Sequence, residues 1–207
     1  MEIHFVAEPI VNMTNNKLMA VEVLSRFYTA NGLQLPTQHT ILRLSSAMKI
    51  NILQKQINAI VEKKIFFINN KLMCSINVDY DTCLFILKNK ALQQALNDNH
   101  FIALEVSERF PYFHETGGIV INNLLKLTSH IWIDDFGSND CKINISQLQH
   151  VGAIKLDKEF LYRILAKDYF NEVLNKISMF CPKIIAEGVE SRYIMDKIKN
   201  INLWGGK

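Results

Sequence analysis

The sequence predicts an α/β protein, a TIM-like (β/α)8 barrel whose first strand runs antiparallel. Eight apolar, strand-like segments are spread along the 207 residues, and after an opening hairpin they alternate with helical segments. Such alternation favours a parallel sheet, and eight strands are enough to close a barrel. An open doubly wound sheet is the main alternative, although the sequence has no glycine-rich phosphate loop that would favour it.

The opening hairpin is predicted from two apolar-rich segments, residues 3–10 and 18–26, which flank a polar stretch from Asn12 to Lys17. Apolar residues then recur at roughly helical spacing over residues 38–63. Asp157 is a plausible N-cap for one of the later helices. The remaining strands are predicted at 71–78, 101–106, 130–134, 151–156, 183–187 and 201–204, and the remaining helices at 80–97, 116–128, 158–180 and 190–199.

Composition indicates a single globular domain over residues 1–207. Hydrophobic residues make up 49% of the chain and charged residues 21%, which excludes a disordered chain. No apolar run has the roughly 18 residues of a membrane span, and the N-terminus lacks a basic signal-peptide region, so we expect a cytoplasmic protein with reduced cysteines. The net charge of +3 is too small to predict DNA binding.

Polar and charged residues appear near the ends of the predicted strands. In a barrel, the carboxyl ends of the strands converge on one face, where barrel enzymes place their chemistry. The sequence therefore predicts a functional site at that face. The residues concerned are Glu22, Arg26, Asn77, Glu105, Glu108, Asp134, Asp135, Lys155, Glu187 and Glu190.

Several carboxylates meeting in one mouth would repel one another unless they were paired or bound a cation. Oxygen ligands with one amide favour a hard cation such as Mg²⁺ or Mn²⁺ over zinc, and the absence of clustered Cys and His agrees. Each motif also has an ordinary alternative. A single glutamate such as Glu22 can be a solvated edge residue, Asp134-Asp135 can end a strand in a turn, and Lys155 can extend to the surface. The joint pattern carries the prediction.

Glu22-Val23-Leu24 followed by Arg26 resembles the Glu-Ala-Leu signature of the EAL family of cyclic-di-GMP phosphodiesterases. Further motifs similar to that family follow in its order across almost the whole chain. They are Glu8-Pro9-Ile10-Val11, Ser75-Ile76-Asn77-Val78, Leu104-Glu105-Val106-Ser107-Glu108, Asp134-Asp135-Phe136-Gly137, Ile154-Lys155-Leu156-Asp157 and Ala186-Glu187-Gly188-Val189-Glu190.

The resemblance implies a role for each residue. Two ions, Mg²⁺ or Mn²⁺, would be held, the first by Glu22, Asn77, Glu105 and Asp134, the second by Asp134, Asp135 and Glu187. Lys155 would help to activate the attacking water, and Glu190 would steady the loop after Asp135. Arg26 would meet a substrate phosphate, and Leu24 and Asp157 would also contact the substrate.

The same resemblance implies hydrolysis of one phosphodiester bond of cyclic-di-GMP to linear pGpG by a homodimer. That reaction lowers a second messenger of bacterial motility and biofilm formation.

The chain departs from the family pattern after Asp135 and near its last strand. Gly137 to Lys142 replaces the usual Gly-Thr-Gly-Tyr-Ser-Ser, and Trp204 stands where glutamine is expected. Glu8 replaces another glutamine, and the family normally continues beyond the position of Lys207. The altered loop 138–142, Trp204 and the short C-terminus favour a second hypothesis, a non-catalytic cyclic-di-GMP receptor or protein-binding regulator. A third is an unrelated barrel enzyme acting on another phosphate ester.

Overall fold

The computed structural model describes residues 1–108, 110, 116–128, 130–138, 150–198 and 203–207. The strands within them are β1 Glu2–Val11, β2 Leu18–Tyr28, β3 Gln34–Leu35, β4 Met73–Asn77, β5 Ile102–Ser107, β6 Ile131–Phe136, β7 Ala153–Leu156, β8 Ile184–Ala186 and β9 Gly205–Gly206. The helices are α1 Thr37–Arg43, α2 Ser46–Val61, α3 Lys64–Asn70, α4 Tyr80–Lys88, α5 Lys90–Asp98, α6 Thr116–Leu127, α7 Lys158–Leu165, α8 Phe170–Phe180 and α9 Arg192–Ile198.

Eight strands close into a ring, which confirms the predicted barrel. β2 and β4 to β9 pair in parallel, and β1 completes the ring by pairing antiparallel with both β2 and β9. The short β3 pairs with the end of β2 outside the ring and was not predicted. Because β1 joins both ends of the sheet, the open doubly wound alternative is wrong.

The hairpin that starts the barrel forms where the asparagine-rich stretch predicts it. The side chain of Asn12 accepts hydrogen bonds from the backbone N–H groups of Thr14 and Asn15, at 3.0 and 3.1 Å. Asn16 adopts a φ of 55°, in the left-handed region that asparagine tolerates better than most residues. The turn therefore sets the register in which Glu8 lies opposite Glu22.

Three long helical predictions are wrong in detail. The segment 38–63 lies in two helices, α1 and α2. The segment 80–97 divides at Asn89, which has extended backbone and caps α5 by accepting from the N–H of Leu92. The segment 158–180 divides into α7 and α8, although Leu161 and Leu174 remain buried as the apolar pattern predicts. Helical periodicity continues across such short breaks, so it locates buried faces better than helix ends.

The last strand also lies later than predicted. It is β9, Gly205–Gly206, whereas residues 201–202 of the predicted 201–204 lie outside the described residues. A side chain on Gly206 would meet the sulfur of Met13, and one on Gly205 would meet Ile10. β9 therefore approaches the opening hairpin closely, which requires small residues at both positions and closes the barrel.

Apolar side chains fill the barrel interior, and the charged residues lie at one end of it. A small cluster of buried residues occupies the interior, with Trp204 packed edge-on against Trp132 at a centroid distance of 5.8 Å. Side chains two apart on a strand share a face. Five members of that cluster are each followed, two positions later along the chain, by a charged residue. The cluster residues are Ala20, Ala103, Trp132, Ala153 and Ile185, and the charged residues are, in the same order, Glu22, Glu105, Asp134, Lys155 and Glu187. The polar residues therefore stand directly above this packed layer. In the described part of the chain, none of the helices combines the length and the apolar character that crossing a membrane needs.

Candidate metal centre at the barrel mouth

The barrel mouth gathers five of the acidic residues that the sequence singles out, namely Glu22, Glu105, Asp134, Asp135 and Glu187. Parallel pairing sets Glu22 beside Ser75, Asn77 beside Glu105, and Ser107 beside Asp134, so neighbouring strands deliver their polar side chains at a common height. Glu22 and Glu105 are buried, while Asp134 and Glu187 are partly exposed toward the opening. The predicted convergence of these residues on one face is therefore present in the structure.

A β-bulge in β6 brings two consecutive aspartates to the same side of the sheet. Adjacent residues of a regular strand point to opposite faces, which would separate Asp134 from Asp135. The register between β6 and β7 shifts between Ile133 and Phe136, and Asp135 has a φ of 56°. Such irregularities re-aim side chains next to functional sites. One carboxylate oxygen of each aspartate consequently lies within 4.8 Å of the other and of Glu187.

Lys155 lies at the centre of the mouth and contacts four carboxylates. Its Nζ is 2.9 Å from oxygens of Glu22 and Glu105, 2.7 Å from Asp134 and 3.1 Å from Glu187. The lysine side chain is only 1% exposed, so its charge is compensated by these neighbours and not by solvent. The position between apolar neighbours on β7 therefore buries the ammonium group, and the surface-lysine alternative is wrong.

Glu22 has hydrogen-bond donors at both of its carboxylate oxygens. Asn77 donates from Nδ2 to Oε1 at 2.7 Å, and Oε2 accepts from the ammonium groups of Lys155 and Lys207. Lys207 Nζ is also 2.9 Å from Glu8, whose other oxygen lies 2.6 Å from Arg26. Two carboxylates on the paired strands β1 and β2 are therefore linked through one lysine.

The charges shift the pKa values of the buried carboxylates in opposite directions. Burial raises the pKa of Glu22, but the ammonium groups of Lys155 and Lys207 outweigh it and hold that pKa at about 2. Burial raises the pKa of Glu105 to about 8, because nearby Glu22 and Asp134 add repulsion that Lys155 does not fully offset. Burial also raises the pKa of Glu187. One ammonium thus does not stabilise every carboxylate around it in the ionised form.

The residues present are chemically suited to divalent cations. Two groups of carboxylates, one of Glu22, Glu105 and Asp134, the other of Asp134, Asp135 and Glu187, each place one oxygen per residue within 4.8 Å of the others. Oε1 of Glu105 is buried and accepts no hydrogen bond from the described residues. Oxygen donors in this number suit Mg²⁺ or Mn²⁺. Asp134 belongs to both groups, so the geometry is compatible with two adjacent ions.

The start of the loop after β6 is held by Glu108. Its two carboxylate oxygens accept from the backbone N–H of Gly137 at 2.8 Å and from the hydroxyl of Ser138 at 2.6 Å. Glu190, for which the resemblance implies the loop contact, instead pairs with Lys158 at 3.0 Å and is 72% exposed. Glu108 therefore holds the described start of the loop, and the loop contact of Glu190 stays a prediction. Residues 139–142 of the altered loop lie outside the described residues.

A cavity of about 470 Å³ opens beside the acidic cluster. Leu24 and Arg26 line it together with Asn77, Asp134 and Asp135, as their predicted substrate role requires. Asp157, predicted to contact substrate as well, accepts from the N–H of Phe160 at 2.9 Å and caps α7. It does not line this cavity, so the capping role is observed and the substrate role stays a prediction.

Lys207 and Glu8 are the mouth residues whose contacts the sequence did not predict. Trp204, which stands where the family pattern has glutamine, packs within the barrel against Trp132, and the side chain that reaches the mouth after β9 is that of Lys207. The N–H of Lys207 donates to the carbonyl of Ala186 at 2.9 Å, which fixes it at the end of β8. The only sequence signal for Lys207 was its position just after Gly205 and Gly206.

The fold and the mouth together define a class of protein, an α/β barrel with an antiparallel first strand and a carboxylate-rich centre able to hold divalent ions. The EAL domain family matches residues 1–203, and the chain belongs to that family. The resemblance seen in the sequence motifs is thereby confirmed.

Two relatives with cyclic di-GMP phosphodiesterase names are distant in sequence. The chain is 24% identical over 193 residues to the probable cyclic di-GMP phosphodiesterase PdeB of Escherichia coli K12, covering 89% of this chain but 37% of PdeB. It is 23% identical over 189 residues to the cyclic di-GMP phosphodiesterase PdeH of the same strain, covering 87% of this chain and 72% of PdeH.

A third relative is similar in structure. The crystal structure of the EAL-like domain protein YdiV superposes with a TM-score of 0.86 at 20% identity, covering all of this chain and 88% of that one. The YdiV sequence of E. coli K12 is 23% identical over 188 residues, covering 87% of this chain and 78% of YdiV, and is described as a putative anti-FlhC(2)FlhD(4) factor.

Proposed function

We propose that this chain hydrolyses one phosphodiester bond of cyclic di-GMP to give linear pGpG, with two Mg²⁺ or Mn²⁺ ions. The observation that carries the proposal is the pair of carboxylate groups that share Asp134 at the barrel mouth. Family membership and the descriptions of PdeB as a probable cyclic di-GMP phosphodiesterase and of PdeH as a cyclic di-GMP phosphodiesterase support the choice of substrate. Turnover by a homodimer would lower the concentration of this second messenger.

Each side chain has a place in this reaction. Glu22, Glu105, Asp134 and the amide of Asn77 would hold one ion, and Asp134, Asp135 and Glu187 the other. Two bound ions supply an activated water and stabilise negative charge on the phosphoryl oxygens.

The remaining residues act on the water and the substrate. Lys155, already within hydrogen-bond reach of four carboxylates, would donate to the attacking water and hold it in line. Arg26 lines the adjoining cavity and would bind a phosphate of the dinucleotide. Leu24 lines the same cavity and would pack against the dinucleotide. The cavity of about 470 Å³ is within the range of small-molecule sites, and it is open enough for part of a larger ligand.

The test is a chromatographic assay of pGpG formation with Mg²⁺ or Mn²⁺, comparing the wild-type chain with Glu22→Ala. We expect Glu22→Ala to lose at least ~100-fold in rate, because it removes an ion ligand and two charge-assisted contacts. Glu172→Ala, an exposed glutamate in the first turn of α8, is the matched control and should retain wild-type activity. Absence of product with either ion from a folded wild-type protein would reject the proposal.

A second candidate is a non-catalytic regulator that binds protein. The observation that favours it is the similarity to YdiV, with its TM-score of 0.86 and its description as a putative anti-FlhC(2)FlhD(4) factor. Retention of the carboxylates, Asn77 and Lys155 favours the phosphodiesterase. The two are separated by the same assay, since a regulator would bind a protein partner and form no pGpG.

A further inference from the structure

We infer that Lys207 is a resident counter-cation that competes with a divalent ion for Glu22, and so weakens one of the two ion positions. The inference rests on the proposed function and concerns how many ions the mouth holds, and how tightly. Its basis is the contact between the Lys207 ammonium and Oε2 of Glu22, an oxygen that also accepts from Lys155.

The contact is part of a built structure. Glu22 is only 3% exposed and Lys207 19% exposed, so the pair is largely shielded from solvent. The backbone of Lys207 is fixed on both sides, because its N–H donates to Ala186 and its carbonyl accepts from the N–H of Val189 at 3.0 Å. The anchored backbone keeps the Lys207 side chain within reach of both Glu22 and Glu8.

Formal charge shows why this lysine matters. Ion binding requires the five carboxylates of the two groups in their ionised form, and with the Lys155 ammonium they then leave four negative charges, which two divalent ions would balance. Adding the Lys207 ammonium leaves three, so a second ion would give the mouth a net positive charge. Glu8 does not restore the balance, because its own charge is matched by Arg26 at 2.6 Å. The centre is therefore balanced for fewer than two divalent ions while Lys207 is in place.

Glu8 is a second carboxylate partner of the Lys207 ammonium. Lys207 Nζ is 2.9 Å from Glu8 Oε2 as well as in contact with Glu22, so the ammonium can leave Glu22 without losing every partner. An ion that reaches Glu22 would displace the lysine toward Glu8, where it would lie next to Arg26. Repulsion between these two cations makes that move unfavourable. The result is a lowered affinity for the ion and not a complete block.

The experiment measures Mn²⁺ binding directly by isothermal titration calorimetry, without substrate, on four proteins. Lys207→Met should bind the weaker ion about tenfold more tightly than wild type, because a buried positive charge has been removed from its neighbourhood. Lys207→Arg keeps the charge and should resemble wild type. Lys90→Met removes an exposed lysine of α5 and should also resemble wild type. Circular dichroism confirms that all four are folded.

Each outcome decides the inference. Tighter binding in Lys207→Met alone, or a second ion seen only in that variant, supports it. Equal affinity in Lys207→Met and wild type overturns it, and weaker binding in that variant does so too, because Lys207 would then help to hold the ion. The assay for pGpG is run on the same proteins, and failure of turnover rejects the phosphodiesterase proposal without affecting the metal titration.

Discussion

Lys155 Nζ lies 2.9 Å from Oε2 of Glu105, and both side chains are almost completely buried at the floor of the mouth. The pair is the centre of the proposed site, because the same ammonium reaches three further carboxylates. A buried charge deprived of its partner is strongly destabilising. The stability of the barrel therefore depends on a positive charge in its mouth, either the ammonium of Lys155 or a bound metal ion.

Replacing Lys155 by methionine should destabilise the metal-free protein by about 3 kcal/mol, since four carboxylates lose their common counter-charge. Urea denaturation in EDTA measures the loss. Added Mn²⁺ should recover part of it by binding the folded state.

The matched control for Lys155 is Lys158→Met, whose partner Glu190 is exposed and whose loss should change little. Equal stabilities of Lys155→Met and wild type in EDTA would contradict the central role given to this lysine.

Glu108 should tune the ion ligands through the loop start that it holds. Glu108→Gln removes the charge that accepts from Gly137 and Ser138, close to Asp134 and Asp135. Partners of this kind typically contribute 10- to 100-fold to metal affinity, and we expect a loss of about tenfold for Mn²⁺ by calorimetry. Ser138→Ala should give a smaller loss in the same direction. The prediction is wrong if Glu108→Gln binds Mn²⁺ as tightly as wild type.

Both the backbone conformation and the neighbouring side chain of Phe160 require glycine at position 137. The φ of Gly137 is 89°, and a Cβ placed there would overlap the ring of Phe160. We expect Gly137→Ala to lower the free energy of unfolding by about 3 kcal/mol or more, measured in urea.

Gly32 supplies the control for Gly137, because its φ of 77° is similar but a Cβ added there would meet nothing within 4 Å. Gly32→Ala should cost about 1 kcal/mol, the backbone part alone. The double variant Gly137→Ala with Phe160→Leu should recover part of the Gly137 loss. Equal costs for the two glycines would show that Phe160 does not restrict Gly137.

Asp79 gives the stability of the protein a pH dependence through a helix cap and an ion pair. It caps α4 by accepting from the N–H of Thr82 at 2.9 Å, and it pairs with Lys49 at 2.8 Å. Burial would raise the pKa of Asp79, but the contacts with Lys49 and Thr82 outweigh it and lower that pKa. Asp79→Ala should therefore cost about 1 kcal/mol at pH 7, the usual value of such a cap.

The sign of the pH effect follows from the lowered pKa. The stabilisation by Asp79 is complete above the unfolded-state pKa of about 3.9 and is lost as pH falls toward the lower folded-state value. Thermal unfolding of wild type and Asp79→Ala should thus differ at pH 7 and converge below about pH 4. A difference that grows with acidification would contradict this account.

The sequence alone predicted the class of fold and most of the mouth. Strand and helix segments alternate because each strand must bury a face against a helix, and that requirement leaves a periodic pattern in the residues. The charged ends of the strands could be predicted for a similar reason, because Glu105 and Lys155 interrupt otherwise apolar segments. The resemblance to the EAL motifs, which occur in the family's order, then predicted a role for each of these residues.

Only the tertiary structure decided which polar groups touch one another. The bulge that turns Asp134 and Asp135 to one side depends on the pairing of β6 with β7, which local propensity does not encode. The approach of Lys207 to Glu22 spans 185 positions and depends on β9 closing the ring against β1. A sequence specifies local geometry and burial through short-range periodicity, whereas contacts between distant segments are fixed only when the whole barrel closes.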